Sequence, residues 1–354
     1  MAAPRPVFHE LRVAAVEQLT EDSAAVTFDV PAELRSTFDF EAGQSLTLRR
    51  TVDGQDHRRS YSICAPAGSP PRVGVREIPE GLFSTWLVRG LAVGDVVEAQ
   101  PPTGSFRADP AQAGRHLCIA AGSGITPMLS IATTVLGNPA STVTLIYGNR
   151  TARSVMFAEE LADLKNRYGP RLDLVHVLSR EPRDVELFSG RLDAQRLRRL
   201  LTTLVPVRSL DHVWLCGPFG LISAARDVLT ELEVSADKVH FELFYVDEHP
   251  PELTRRDDVV DGDVSQVTIV LDGQTTTVSA PKELSILDGA ARTRNDLPFA
   301  CKGGVCGTCR AHLVSGEADM RRNYALDDDE VARGYVLTCQ TFPVSDTATL
   351  DFDA

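Results

Sequence analysis

Four of the seven cysteines fall in the last stretch of this 354-residue chain, where Cys301, Cys306 and Cys309 stand as C-x4-C-x2-C and Cys339 follows after 29 intervening residues. This spacing constrains the fold more than any other feature, because a segment offering four thiols to one centre must wrap around it. The opening residues, MAAPRPVFHE, lack the apolar core of a secretory signal, so a cytoplasmic protein is expected. In a reducing compartment such clustering favours a metal centre over disulfides. Soft anionic sulfur suits iron in particular. Gly303, Gly304 and Gly307 lie among the ligands; without a Cβ the loop can bend closely and aim N–H groups at the sulfurs. Structural zinc also takes four thiolates. Zinc modules usually show two short C-x2–4-C pairs, whereas here the fourth cysteine stands alone on a predicted strand, YVLTCQ.

The spacing resembles that of plant-type [2Fe–2S] ferredoxins. The resemblance implies that all four cysteines ligate one cluster. Gly307 occupies a place where chloroplast ferredoxins often carry a small hydroxyl residue, so hydrogen bonding to the cluster and its potential are expected to differ.

The chain is too long for one ordinary core and suggests two or three domains. Hydrophobic residues make up 43% and charged residues 24%, which is soluble globular composition. No apolar run approaches the roughly 20 residues that cross a bilayer, so no membrane role is expected. The net charge of -13 argues against nucleic acid, whose phosphates need a basic face. A basic protein partner suits it better.

From Phe8 to about Arg107, short alternating runs such as LRVAAVEQL, SAAVTFDV and SLTLRR are punctuated by turn residues. They predict an antiparallel barrel or sandwich. The rhythm then changes. The runs HLCIAA, TVTLIYG, LDLVHVL and HVWLCG alternate with PMLSIATTVL, FAEELADLKNRY, LDAQRLRRLLTT and LISAARDVLTEL, which predicts a parallel sheet with helices on both faces. The charged, proline-bearing run from Glu248 to Asp263 reads as a solvated linker. Beyond it, QVTIVLDGQTTTVSA is two alternating runs around Asp272-Gly273, a hairpin signal, followed by a short helix, SILDGAARTR. The expected division is 1–109, 110–247, a linker at 248–264, and 265–354.

Two sets of motifs suggest cofactors. Arg59-Ser60-Tyr61-Ser62 ends a strand-like run, and Gly81-Leu82-Phe83-Ser84 opens a predicted helix, whose free N–H groups suit a pyrophosphate. Taken alone, R-x-Y-S is short, and a strand Tyr is more often core. Gly122-Ser123-Gly124-Ile125-Thr126-Pro127 follows the strand HLCIAA and opens a helix, a turn that can cradle a second pyrophosphate. It is not the G-x-G-x-x-G fingerprint, and a ligand-free βα turn stays open as a reading. Cys216-Gly217-Pro218 and Glu242-Leu243-Phe244 close the last two strands; a free strand Cys is usually only a small core hydrophobe.

The order of these motifs resembles the ferredoxin–NADP reductase family over residues 8 to 245. The resemblance implies an FAD-binding barrel, a nicotinamide-binding α/β domain and a β-grasp-like [2Fe–2S] domain. It implies that Arg59 pairs with the flavin pyrophosphate, that Tyr61 packs on the isoalloxazine, and that Ser62 bonds near its N5. Gly81, Leu82 and Ser84 would contact the flavin phosphates. Gly122, Gly124, Thr126, Pro127, Cys216 and Gly217 would line the nicotinamide nucleotide, and Phe244 would shield the flavin. Ser62, Cys216 and Glu242 are the candidates for the hydride-transfer site. Arg150 and Ser154, where NAD enzymes often place an acidic residue, suggest a 2′-phosphate and hence NADPH, with NADH as the alternative.

The domain order, with NYAL at Asn323 to Leu326 and VLTCQ at Val336 to Gln340, is similar to that of reductase components of phenylacetyl-CoA epoxidase systems. Reductases of steroid hydroxylases and of aromatic-ring oxygenases are similar at the same motifs. The expected partner is an oxygenase component, a multi-subunit di-iron epoxidase. Electrons would run from NADPH through FAD and the cluster to that oxygenase. A zinc- or flavin-binding adaptor is the non-enzymatic alternative.

Overall fold

Six antiparallel strands open the chain in the computed structural model: β1 (His9–Thr20), β2 (Ser23–Asp29), β3 (Ser45–Val52), β4 (Gln55–Ser62), β5 (Arg72–Arg76) and β6 (Val96–Ala99). They line up as β4-β3-β6-β1-β2-β5. A bridge between Ile63 and Val73 joins the two ends, and the Cys64 N–H donates to the Arg72 carbonyl at 2.8 Å. The sheet thus closes into the predicted barrel. Alternate residues such as Leu11, Val13, Leu46 and Leu48 fill it, joined by Phe83 and Leu87 from helix α1 (Leu82–Thr85) and the wide turn Trp86–Gly90 that prolongs it.

The predicted alternation follows: β7 (Arg115–Ala121), α2 (Ile125–Val135), β8 (Thr142–Asn149), α3 (Ala158–Tyr168), β9 (Leu172–Leu178), α4 (Ala194–Leu204), β10 (His212–Pro218), α5 (Phe219–Glu231) and β11 (Val239–Tyr245). The five strands are parallel in the order β11-β10-β7-β8-β9. The chain leaves β7 in one direction to β8 and returns on its other side to β10. Such a switch point opens a ligand crevice at the carboxyl ends of the strands. Helix α2 is buried along nearly its whole length, because barrel residues Ala42, Cys64 and Phe106 share one core with Cys118, Met128, Ile131 and Trp214. Helix α4 buries only the stripe Leu197, Leu200 and Leu201, as a surface helix does.

The structure describes residues 7–245 except 53 and 80, and residues 263–354 except 272, 292, 295 and 296. Up to residue 262, the expected linker lies outside the described residues. The chain divides into two compact units, Val7–Asp247 and one holding Glu248–Ala354.

In the second unit β12 (Val264–Leu271) and β13 (Gln274–Pro281) form the predicted hairpin, with Leu271 opposite Gln274. Of its two turn residues, Asp272 lies outside the described residues. Helix α6 (Ile286–Ala290) stops short of the predicted Arg294, because the N–H groups of Thr293 and Arg294 both turn back to the Ala290 carbonyl. The remaining elements are β14 (Arg310–Ser315), β15 (Ala318–Met320), α7 (Asp328–Ala332), β16 (Tyr335–Leu337), β17 (Thr341–Pro343) and β18 (Thr347–Asp351). The main sheet runs β13-β12-β18-β14-β16, with β12 and β18 parallel, and β15 pairs with β17. Helix α6 sets Ile286, Leu287 and Ala290 against Val267, Ile269 and Leu350, which gives the β-grasp arrangement. One expectation is corrected. Cys339 is not on a strand but in the turn between β16 and β17, where the Gln340 N–H closes back on the Leu337 carbonyl at 2.8 Å.

Candidate functional site

Strand β4 ends at Ser62, which is buried and donates its hydroxyl hydrogen bond to Glu242 Oε2 at 3.0 Å. Glu242 lies on β11 directly opposite Cys216 of β10. The three residues expected at the hydride-transfer site, drawn from distant parts of the sequence, therefore meet at the seam between barrel and parallel sheet. Burial and then the Glu242 carboxylate push the Cys216 thiol well above its ordinary range, so it is a neutral wall rather than a nucleophile. Burial raises the Glu242 carboxyl to about 7, against the opposing hydrogen bond from Ser62. A carboxyl there can hold or release a proton near neutral pH.

Arg59 is exposed on β4, and its guanidinium donates to the Arg58 carbonyl at 2.7 Å. It has no carboxylate partner among the described residues. The Tyr61 ring is partly buried, 6.0 Å from Phe83, which stands edge-on to Trp86 at 5.4 Å. Ser84 differs from expectation. Its buried hydroxyl turns inward, accepting from the Ile78 N–H at 3.0 Å, which leaves the backbone N–H groups at the start of α1 as the donors there. An arginine with no carboxylate partner among the described residues, a helix start and the partly buried Tyr61 ring fit a flavin dinucleotide, whose phosphates Arg59 and the Leu82 and Phe83 backbone would hold.

The glycine-rich turn follows β7. A Cβ on Gly124 would lie 2.2 Å from the Cys216 carbonyl oxygen, so only glycine lets the turn rest on β10. Gly217 continues that contact, with its Cβ position 3.3 Å from the Ala121 nitrogen. The Tyr147 hydroxyl donates to the Gly122 carbonyl at 2.9 Å and the Thr126 hydroxyl to the Ser123 carbonyl at 3.0 Å. Thr126 thus builds the turn with its side chain, and Pro127 lies buried in the first turn of α2, where its missing N–H is tolerated. Phe244 packs on the core shared by barrel and sheet.

At the far end of the crevice Arg150 is exposed, and its carbonyl accepts from the Arg180 N–H at 2.8 Å. Ser154 engages its hydroxyl locally, donating to the Thr151 carbonyl at 2.8 Å and accepting from the Thr151 N–H; its one donor is therefore not free for a phosphate. Three residues absent from the sequence expectations are also here. Glu181 Oε2 accepts from the Ala152 N–H at 2.8 Å, Arg180 adjoins Arg150, and Arg76 of β5 donates to the Ser154 carbonyl at 2.5 Å. Arg76 sits in an ordinary alternating strand, and nothing local marks it. The run S-R-E after β9 was a usable signal, since charged residues at the carboxyl end of a parallel strand face the crevice.

In the second unit the four thiols face one another two by two, Cys301 beside Cys306 and Cys309 beside Cys339. The bond from Cys306, with the N–H groups of Gly303, Val305 and Cys306, holds the Cys301 thiol below its ordinary range. The Gly303 N–H lies 3.3 Å from Cys301 Sγ. The loop can turn this way because Gly304 and Gly307 adopt φ of +79° and +67°, which side chains rarely allow. Asn323 braces the loop that follows, accepting from the Leu326 N–H at 2.8 Å. Among the described residues no three His, Cys, Asp or Glu side chains converge on a point that could hold a single ion. Four thiols facing one another two by two fit a two-iron cluster, which would take two thiolates per iron.

The chain matches three family models: an oxidoreductase FAD-binding domain over residues 10–108, an oxidoreductase NAD-binding domain over 118–227, and a 2Fe-2S iron–sulfur cluster binding domain over 269–344. It is 42% identical to one of the subunits of the 1,2-phenylacetyl-CoA epoxidase of Escherichia coli, covering 98% of both chains. It is 33% identical to the ferredoxin reductase component of 3-ketosteroid-9-alpha-monooxygenase from Rhodococcus rhodochrous, over 97% of this chain and 96% of the relative. Among solved structures it is similar to phthalate dioxygenase reductase, with a TM-score of 0.64, 26% identity and 98% of each chain covered. Among the described residues no helix is long and apolar enough to cross a membrane.

Proposed function

The chain belongs to the ferredoxin–NADP reductase family, in the branch that carries a C-terminal [2Fe–2S] domain and serves oxygenases as their reductase component, and on that footing we propose that it takes electrons from NADPH and passes them through FAD and the cluster to an epoxidase acting on phenylacetyl-CoA. The meeting of Ser62, Cys216 and Glu242 at the barrel–sheet seam carries this reading. A flavin accepts a hydride as an electron pair and can release the electrons singly, and a cluster relays them one at a time. The protein's part is placement. Arg59 and the start of α1 anchor the flavin phosphates, Tyr61 supports its ring, and the turn at Gly122–Gly124 holds the nicotinamide nucleotide. Ser62 and Glu242 hold a proton at the seam, and Cys216 closes its wall against water. The likeness to the epoxidase component supports a multi-subunit di-iron partner; the steroid-monooxygenase relative supports the alternative. Purified protein should show flavin and iron–sulfur absorbance that bleaches with NADPH, and it should drive the epoxidase component in a reconstituted assay. A colourless protein containing zinc would overturn the reading in favour of an adaptor.

Arg150 is the proposed 2′-phosphate ligand. Loss of one charge-assisted contact of about 1.5–3 kcal/mol should weaken NADPH roughly 10- to 100-fold. Arg150→Ala should therefore raise KM for NADPH and leave NADH nearly unchanged. Glu181 favours a second reading, since its carboxylate beside the Ala152 N–H could accept from ribose hydroxyls and repel a phosphate. Equal effects of Arg150→Ala on both nucleotides would favour NADH. For the flavin, Arg59→Ala should leave the pyrophosphate poorly neutralised. The variant should purify with less FAD and recover activity when FAD is added; full occupancy in dilute solution would show that Arg59 serves the fold instead.

A further inference from the structure

Strand β5 turns one face toward the nicotinamide half, and every second residue on that face makes a contact there. Arg72 forms a two-pronged ion pair with Glu160 of α3, at 2.9 and 2.8 Å. Arg76 reaches the Ser154 carbonyl. Between them Gly74 has no side chain, and the space a Cβ would need is taken: it would lie 2.6 Å from Thr126 Cγ2 and 2.7 Å from Phe157 Cζ. Thr126 belongs to the phosphate turn. Phe157 caps α3 at φ 58°, ψ 31°, a left-handed conformation that a bulky aromatic residue seldom adopts. Its ring is buried, with the Arg72 guanidinium 5.3 Å above it. A backbone held in this way to drive a ring against bare strand is over-determined by its surroundings, as strained residues near functional sites tend to be.

We propose that Gly74 is a positioning residue for hydride transfer. It lets the phosphate turn and the Phe157 wedge seat directly on β5, and so sets how far the nicotinamide, carried by the parallel sheet, stands from the flavin, carried by the barrel. This rests on the cofactor placement proposed above. A methyl at Gly74 would have to move its neighbours by about 1 Å to reach ordinary carbon–carbon contact. Misplacement of that size costs hydride transfer up to about 100-fold. Arg59 and the four cluster cysteines keep their own side chains in this variant.

The test is Gly74→Ala in the full chain with flavin and cluster loaded. Flavin content should stay near that of the parent, and the comparison is made at saturating NADPH. Flavin reduction in a single turnover should slow by roughly 10- to 100-fold, and the long-wavelength charge-transfer absorbance between nicotinamide and flavin should fade with it. Adding Thr126→Ser, which keeps the turn hydroxyl, and Phe157→Leu removes the two atoms that the new methyl strikes and should restore both. An unchanged band and rate in Gly74→Ala, or slowing with the band intact, would overturn the proposal. If Gly74→Ala does not fold, Phe157→Leu alone loosens the same seat without adding an atom; it must then weaken the band and the rate, and no change in either sinks the idea. A parent protein with neither band nor hydride transfer would instead overturn the cofactor placement.

Discussion

Replacing Cys309 by Ser is expected to stop electron delivery to the oxygenase while the reduced nicotinamide still reduces the flavin. Cys309 is buried and forms one of the two thiol pairs with Cys339. The Thr338 N–H and hydroxyl both fix its carbonyl, at 3.1 and 3.0 Å, so the backbone there cannot readily swing another ligand into place. A serine hydroxyl stays protonated and is a hard, poor ligand for iron. The cluster should be lost or left labile, seen as missing iron and sulfide and bleached cluster absorbance. Ser62, Cys216, Glu242 and the phosphate turn belong to the other compact unit, Val7–Asp247, and nothing in their contacts depends on that thiolate. Reduction of a small artificial acceptor that takes electrons from the flavin should persist. Oxygenase turnover should fall at least about 100-fold, beyond the usual loss from disturbing a metal site's outer partners. A variant that keeps its cluster and supports turnover, or one that folds but whose flavin no longer accepts hydride, would contradict the order nicotinamide, flavin, cluster.

The parts of this architecture that could be read from sequence are those that local chemistry writes locally. Period-2 runs became barrel strands and apolar strand–helix alternation became the parallel sheet, because burial on one face or on both leaves its mark residue by residue. The cysteine spacing carried the cluster loop for the same reason. Cys339 was misplaced onto a strand because YVLTCQ has strand composition, and only the turn closed by Gln340 onto Leu337 takes the thiol out of it. Ser84 and Ser154 were expected to face phosphates, but each hydroxyl is satisfied within its own loop, a local competition to which serine is prone. What the sequence could not yield is the seam. Arg76 and Gly74 sit in an unremarkable strand, and their meaning lies in Ser154, Thr126 and Phe157, which reach them only through tertiary packing. Glu242 and Ser62 were legible as motif members, yet their hydrogen bond spans two halves of the fold, and it is burial between those halves that raises the titration of the Glu242 carboxyl, against that hydrogen bond.

That titration yields the second large effect, in which Glu242→Gln should stabilise the protein above neutral pH and flatten its pH dependence. Folding raises the Glu242 carboxyl from the ordinary 4.5 to about 7, chiefly through burial. The folded state therefore favours the protonated form. Below about pH 4.5 the group is neutral in both states and its contribution is fully present. As pH climbs toward 7 the unfolded chain ionises first, so the folded state loses about 1.4 kcal/mol per pH unit relative to it. Above about pH 7 both states are ionised and the loss is complete, at most about 3 kcal/mol given that the side chain keeps some surface in the cleft. Glutamine cannot ionise, and its amide oxygen can still accept from the Ser62 hydroxyl. Chemical denaturation of parent and variant should differ least at pH 5, separate progressively to about pH 7 and hold that separation at pH 8, with the variant more stable. The hydride-transfer rate should respond in the opposite sense, because the variant can neither hold nor release a proton at the seam; the inflection near pH 7 in the parent's single-turnover profile should vanish. Parallel stability curves from pH 5 to 8, or an inflection that survives in Glu242→Gln, would show that Glu242 does not titrate at this site and that the proton there is held by another group.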